Sequence, residues 1–302
     1  MKVPVYSLKG EVKKSMDFAR VFSEPVRPDL INRAVVSERS GNRQVYGTDP
    51  LAGKRTSAHY HGRRKVRHSM MNKEMARMAR IHGTGFMHMT ARFVPQAIKG
   101  RKAHPPKTEK VWKKGMNKKE HIKAMVSAVS ATAHKDYVVS RGHITEGIKH
   151  IPLVIENEIE HIKRIRDVNE VLKTLGLEKE IERAKQKKVR QGKGTRRGRR
   201  YKKKKSLLIV VSDYKGIEKA AGNIPGIDVV RVNELRVEHL APGGMPGRLT
   251  LWTEGALEQF EKIVGQKQQN EGVTETEGVK RRLPSEAAFK SKSAVSPESL
   301  GE

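Results

Sequence analysis

Five aromatic side chains, Tyr46, Tyr60, Phe86, Phe93 and Trp112, are interleaved with arginine, lysine and histidine between residues 39 and 114. Planar rings stack on unpaired bases, cationic side chains neutralise phosphates, and glycines let a backbone approach a phosphate closely. The candidate RNA contacts in this segment are Arg43, Lys54, Arg55, His59, Tyr60, His61, Arg63, Arg64, Lys65, Arg67, Arg77, Arg80, Gly83, Gly85, Arg92, Phe93, Lys99, Arg101, Lys102, Lys107 and Trp112. A second set lies in QGKGTRRGRRYKKKK, residues 191–205: Lys193, Arg196, Arg197, Arg199, Arg200, Lys202, Lys203, Lys204 and Lys205. A run of this kind alone also suits a solubilising or localisation tract. Here it leads directly into an apolar stretch at 207–211, which tethers it to a sheet and suits a second phosphate-gripping arm.

Charge placement sharpens the reading. The chain has 302 residues, with 63 Lys plus Arg against 33 Asp plus Glu, a net of +30. Residues 39–114 hold 19 basic side chains and three acids (Asp49, Glu74, Glu109); residues 183–205 hold 14 basic side chains and no acid. These two segments account for the whole excess, and the remainder balances. An ordinary neutral domain therefore carries two concentrated polycationic insertions, which implies a polyanionic partner.

Other classes fare badly. No run of eighteen apolar residues exists to span a membrane, and the opening MKVPVYSLKG lacks the apolar stretch of a signal peptide. The expected setting is the cytoplasm. Zero cysteines exclude disulfides, thiolate zinc sites and a cysteine nucleophile. GTDPLAGKR at 47–55 has five residues between its glycines where a P-loop has four, Arg55 follows Lys54, and no apolar strand precedes it. Gly83-Thr84-Gly85 runs on to His88 where a dinucleotide fingerprint needs glycine. His59, His61 and His68 have ligand chemistry, but Arg63, Arg64, Lys65 and Arg67 would repel a cation. Asp213, at the end of an expected strand, lacks a histidine or lysine partner. No catalytic residue, cofactor, metal or small-molecule substrate is expected. Two alternatives stay open: an RNA-modifying enzyme with a sheet-borne pocket, and a chromatin-type protein that binds duplex DNA.

The elements that must position these residues follow from periodicity. Val3, Val5 and Leu8 begin a strand, and Leu30, Ile31, Ala34 and Val35 mark a helix near 29–40. The next seventy or so residues read as loop, with one short helical stretch at 72–81. Asn117 with Glu120, and Asp167 with Glu170, have capping-box spacing ahead of two further helices. Gly176 suits a helix C′ position. IPLVI at 151–155, SLLIVVSD at 206–213, IDVVRV at 227–232 and Leu249–Trp252 are apolar strands, with helices expected near 215–222, 233–239 and 254–263. Apolar strands alternating with helices indicate an α/β fold with a mainly parallel sheet covered on both faces. Residues 1–40 plus 115–263 form the expected globular domain, 41–114 an inserted extended basic loop, 183–205 a second basic arm and 264–302 a disordered tail.

Four stretches together resemble the family of the fourth large-subunit ribosomal protein, in its archaeal and eukaryotic branch. They are VPQAIKGRKAHPPKTEK at 94–110, RGHITEGIKHIPLVI at 141–155, GKGTRRGRRYKKKKSLLIVVSD at 192–213 and LAPGGMPGRLTLWTE at 240–254. Their order and spacing also match, over roughly residues 1–263. The resemblance implies a three-layer α/β/α globular domain in a structural protein of the large ribosomal subunit that binds its rRNA, contacts other large-subunit proteins and supports assembly. It further implies that the loop runs into the rRNA and helps form the nascent-peptide exit tunnel, with Gly83-Thr84-Gly85 matching a Gly-Thr-Gly element of the family's loop. Residues 63–82, RRKVRHSMMNKEMARMARIH, depart from the Gly-Arg-rich pattern of that loop.

Overall fold

The strands Lys2–Tyr6 (β1), Val12–Asp17 (β2), Leu153–Ile155 (β3), Leu208–Val211 (β6), Asp228–Arg231 (β7) and Thr250–Thr253 (β8) make one sheet in the order β2-β1-β3-β8-β6-β7. Lys188–Val189 (β4) and Tyr201–Lys202 (β5) pair with each other apart from it. They belong to a computed structural model that describes residues 2–17 and 22–265. Every neighbouring pair in the large sheet is parallel except β1 with β2. The fold is α/β with a mostly parallel sheet.

All four residues of β6 are fully buried, as are those of β8. Side chains alternate across a strand, so consecutive residues feed two different cores. Leu208 and Val210 join Val5, Val154 and Trp252 against the helices Pro28–Gly41 and Lys118–Ala133 and the helical turns at 254–265. Ile209 and Val211 join Tyr6, Leu153, Ile155 and Leu251 against the helices Ile165–Thr174, Glu178–Lys185 and Ile217–Ala221. A strand buried on both sides needs a continuous apolar run, which is what LIVV supplies.

Several expectations need correction. β2 was not expected at all: its sequence, VKKSMD, is exposed at five of six positions and pairs antiparallel at the sheet edge. Lysines suit such an edge because they discourage further strands from adding. No helix forms at 72–81. Asn117 precedes its helix without a side-chain cap bond, and the helix at 165 starts two residues before Asp167, leaving that carboxylate in the first turn. There it still faces the positive end of the helix dipole. Gly176 does terminate its helix in the left-handed region at φ 76°, and Leu177 N donates to Leu172 O at 3.0 Å. An added Cβ at Gly176 would lie 2.3 Å from the Gly147 carbonyl oxygen, so the close approach also requires glycine.

The chain divides into two units, Ser40–Lys113 and the remainder on either side of it. Of the expected tail, residues 266–302 lie outside the described residues.

Candidate nucleic-acid interface

Ser40–Lys113 has almost no regular structure. Its frame is a set of paired backbones: His59 and Arg80 exchange bonds at 3.1 and 3.0 Å, Ile81 N donates to Thr90 O at 3.0 Å, and Arg92 N donates to Ala79 O at 3.0 Å. Arg80 is 9% exposed, and its guanidinium donates to Met89 O at 2.8 Å and Ala76 O at 3.0 Å. It bridges the backbone segments where the short helix was expected. Seven non-glycine residues here, among them Lys65, Phe93 and Lys99, hold φ between 56° and 68°. Side chains disfavour that region by roughly 1–2 kcal/mol per residue.

Arg43, Lys54, Arg55, His59, Tyr60, Arg63, Arg64, Lys65, Arg67, Arg77, Gly83, Gly85, Phe93, Lys99, Lys102 and Lys107 are exposed; His61, Arg92, Arg101 and Trp112 are half-buried. Arg55 pairs with Asp49 at 2.7 Å. Among the described residues, Arg63, Arg64, Lys65, Arg67 and Arg77 pair with no carboxylate.

The rings are not equally available. Tyr46 stacks on Trp112 with centroids 5.1 Å apart, and Arg43 and Lys110 lie 4.2 and 4.5 Å from the Trp112 ring centre. The faces of the Trp112 ring are therefore already occupied within the loop. Phe86 is 93% exposed, one residue after Gly85. Sequence reading noted its ring but did not single it out as a contact. The signal was there: an aromatic directly after a Gly-Thr-Gly turn has little beside it to pack against.

Five histidines converge in the same unit. His82 lies 4.7 Å from both His61 and His68 between ring centres, with His59 at 6.2 Å, and His68 lies 5.7 Å from His88. Desolvation lowers the pKa of His68 and His82, and the neighbouring cations and imidazoles lower them further. No group of three possible metal ligands is assembled among the described residues.

The second basic segment is a small hairpin. β4 pairs antiparallel with β5, a helical turn Lys193–Arg196 sits between them, and Arg190 N donates to Arg200 O at 2.8 Å. Lys193, Arg196, Arg197, Arg199, Arg200, Lys202, Lys203, Lys204 and Lys205 are all exposed. Its root is fixed by Glu180. That buried carboxylate accepts from His143 at 2.7 Å, Arg183 at 2.6 Å, Ser206 Oγ at 2.9 Å and Ile144 N at 3.0 Å. Burial alone would raise its pKa, but these donors, Arg183 foremost, hold it down to about 2.

At the C-terminal ends of β6 and β8, where α/β enzymes place ligands, a structural carboxylate occupies the space instead. Glu160 accepts from Ser212 N at 2.9 Å, Ser212 Oγ at 2.6 Å and Thr253 Oγ1 at 3.0 Å. No helix in the described residues is long and apolar enough to cross a membrane.

The ribosomal protein L4/L1 family matches residues 18–263. The chain belongs to that family. It is 45% identical to large ribosomal subunit protein uL4 of Methanopyrus kandleri, over 88% of this chain and all of that protein. Identity is also 45% to the uL4 proteins of Archaeoglobus fulgidus and Methanocaldococcus jannaschii, over 85% and 87% of this chain and 97% and 99% of theirs. The family match takes in both basic segments, so these belong to the family's own length and are not appended to it.

Proposed function

We propose that this chain is a structural constituent of the large ribosomal subunit that binds large-subunit rRNA, contacts other large-subunit proteins and supports subunit assembly, without catalysing a reaction. It acts in the cytoplasm, in the ribosome. The globular part, 1–40 plus 115–263, is a three-layer α/β/α body. Residues 41–114 are its rRNA-penetrating loop, which helps form the nascent-peptide exit tunnel, and 183–205 its second arm.

One observation carries the reading: exposed cations crowd into two segments that hold three acids between them, so that only a few, such as Arg55 and Lys205, meet a carboxylate, while the rest of the chain is electrically balanced. Such a segment repels itself until phosphates neutralise it. The seven left-handed non-glycine residues of the loop support the same view, since backbone strain of this kind persists where surroundings enforce it.

Binding to transcribed large-subunit rRNA tests the proposal. Neutralising about 6–10 phosphates weakens affinity roughly 10³–10⁵-fold between 50 and 200 mM salt. Duplex DNA should compete poorly, because irregular and single-stranded RNA features are what the arms fit. Equal competition by duplex DNA would favour the chromatin-type alternative.

A further inference from the structure

A cleft of about 600 Å³ opens beside the root of the second arm, and its lining includes Arg141, Arg183, Lys204, Lys205, Asp228 and Arg248. Most of its charges are matched. Arg248 donates to Asp228 at 2.6 Å, Lys205 shares that carboxylate at 2.8 Å, Arg183 rests on Glu180 at 2.6 Å, and Arg39 donates to Glu238 at 2.7 Å. Lys204 reaches only the amide oxygen of Gln186, at 3.4 Å.

Arg141 is the exception that matters. It follows the helix Lys135–Ser140, and its guanidinium donates to Met245 O at 2.6 Å and Pro242 O at 2.7 Å. Those carbonyls belong to a turn with Gly243 at φ 84° and Gly244 at φ 87°. The Arg141 guanidinium pairs with no carboxylate among the described residues. Six cations (Arg39, Arg141, Arg183, Lys204, Lys205, Arg248) therefore face three carboxylates (Asp228, Glu238 and the underlying Glu180), an excess of three positive charges. Burial lowers the Arg141 pKa, and the charges of Arg248 and Arg183 lower it further. A fixed guanidinium held among like charges is an anion site waiting for its counter-ion.

We infer that the cleft around Arg141 is a phosphate-binding pocket, filled by a backbone phosphate of RNA or by the phosphate of a free nucleotide. A phosphate group fits better than a lone carboxylate. It brings more acceptor oxygens for a guanidinium fork and an ammonium approaching from different sides. Its negative charge also offsets more of the excess. The exposed lysines at 202–205 run along the chain that reaches the rim, so an RNA strand lying on them would pass the opening. The inference rests on the rRNA-binding reading above, and it joins Arg141 and Arg248, which lie outside the two basic segments, to cations at the root of the second arm.

The test uses the full chain with its arginines ¹⁵N-labelled, and the Arg141 Nε resonance assigned through Arg141→Lys. Inorganic phosphate, AMP and hexauridylate are titrated separately at matched ionic strength, with chloride as the control. A saturable shift of Arg141 with a phosphate-bearing probe, absent with chloride, supports the pocket. Saturation by AMP at least tenfold below inorganic phosphate identifies a free nucleotide as the source; tighter binding of hexauridylate alone identifies RNA backbone. Lys204→Gln, exposed at the rim, should weaken the saturable event roughly threefold to tenfold even if Arg141→Gln proves unfolded. An Arg141 resonance that stays still while the arm arginines respond to hexauridylate overturns the pocket and leaves the rRNA reading intact. Silence everywhere overturns both.

Discussion

His143 Nδ1 lies 2.7 Å from Glu180 Oε1, with both side chains 1% exposed, and Ser206 donates to the same carboxylate oxygen. This buried contact joins the segment after the helix Lys135–Ser140 to the point where the second basic arm enters the sheet. The imidazole is neutral at neutral pH because burial lowers its pKa, so the bond is a histidine N–H donated to a carboxylate.

Glu180→Ala should destabilise the fold by about 3–5 kcal/mol, because Arg183 is left without its partner. Denaturant unfolding measures this. The pH dependence follows from the signs. Glu180, depressed from 4.5 to about 2, contributes stability that is complete above pH 4.5 and is lost as pH falls toward 2. His143, depressed below 6.5, contributes stability lost as pH falls beneath 6.5. Both act in one direction, so stability should decline steadily on acidification, and Glu180→Gln should flatten the limb below pH 4.5.

Lys202, Lys203 and Lys204 changed together to Gln should lower the magnitude of the slope of log K against log salt by about 3, near one for each phosphate no longer neutralised. Lys205 is left intact because it also holds Asp228, at 2.8 Å. An unchanged slope would mean the hairpin does not touch phosphate.

Phe86→Ala should leave stability within about 0.5 kcal/mol, since a ring 93% exposed packs on nothing. Its loss should weaken binding to single-stranded rRNA segments by roughly 1–3 kcal/mol if it stacks on a base. Trp112→Ala behaves differently, because Trp112 already stacks on Tyr46: it should loosen the loop near residues 43–46, visible as faster proteolysis there.

Affinity for rRNA should rise as pH falls from 8 to 6. In the free chain desolvation lowers the pKa of His68 and His82, and the neighbouring imidazoles, with Arg67 and Lys73 beside His68, lower them further. Phosphates reverse that repulsion, so binding takes up protons and acid favours it. Alanine at His68 and His82 together should remove most of the pH slope.

The buried parallel strands were legible because their requirement is one-dimensional: LIVV and LVI satisfy both faces of a sheet without reference to anything distant. The helix Pro28–Gly41 was legible from its apolar face for the same reason. β2 was not, since an exposed edge strand needs only backbone pairing with β1 and its lysines carry no alternation. Met75, Met78, Ala79 and Ile81 have helical spacing, yet Arg80 commits its guanidinium to carbonyls across the loop, a tertiary bond that no local pattern announces. At the interface the exposed cations followed from composition. Arg141 did not, because its lack of a carboxylate emerges only when residues 39, 183, 205, 228 and 248 meet in space.

The measurement that bears most directly on the central claim is sedimentation of native lysate through a sucrose gradient, before and after a wash at about 0.5 M salt. At that ionic strength the Debye length is roughly 4 Å, which screens simple surface attachment. Co-sedimentation with large subunits that survives the wash is the predicted result, since arms ordered within folded rRNA cannot leave by screening alone. Release of the chain to the top of the gradient would contradict a structural role and identify a peripheral RNA-binding factor.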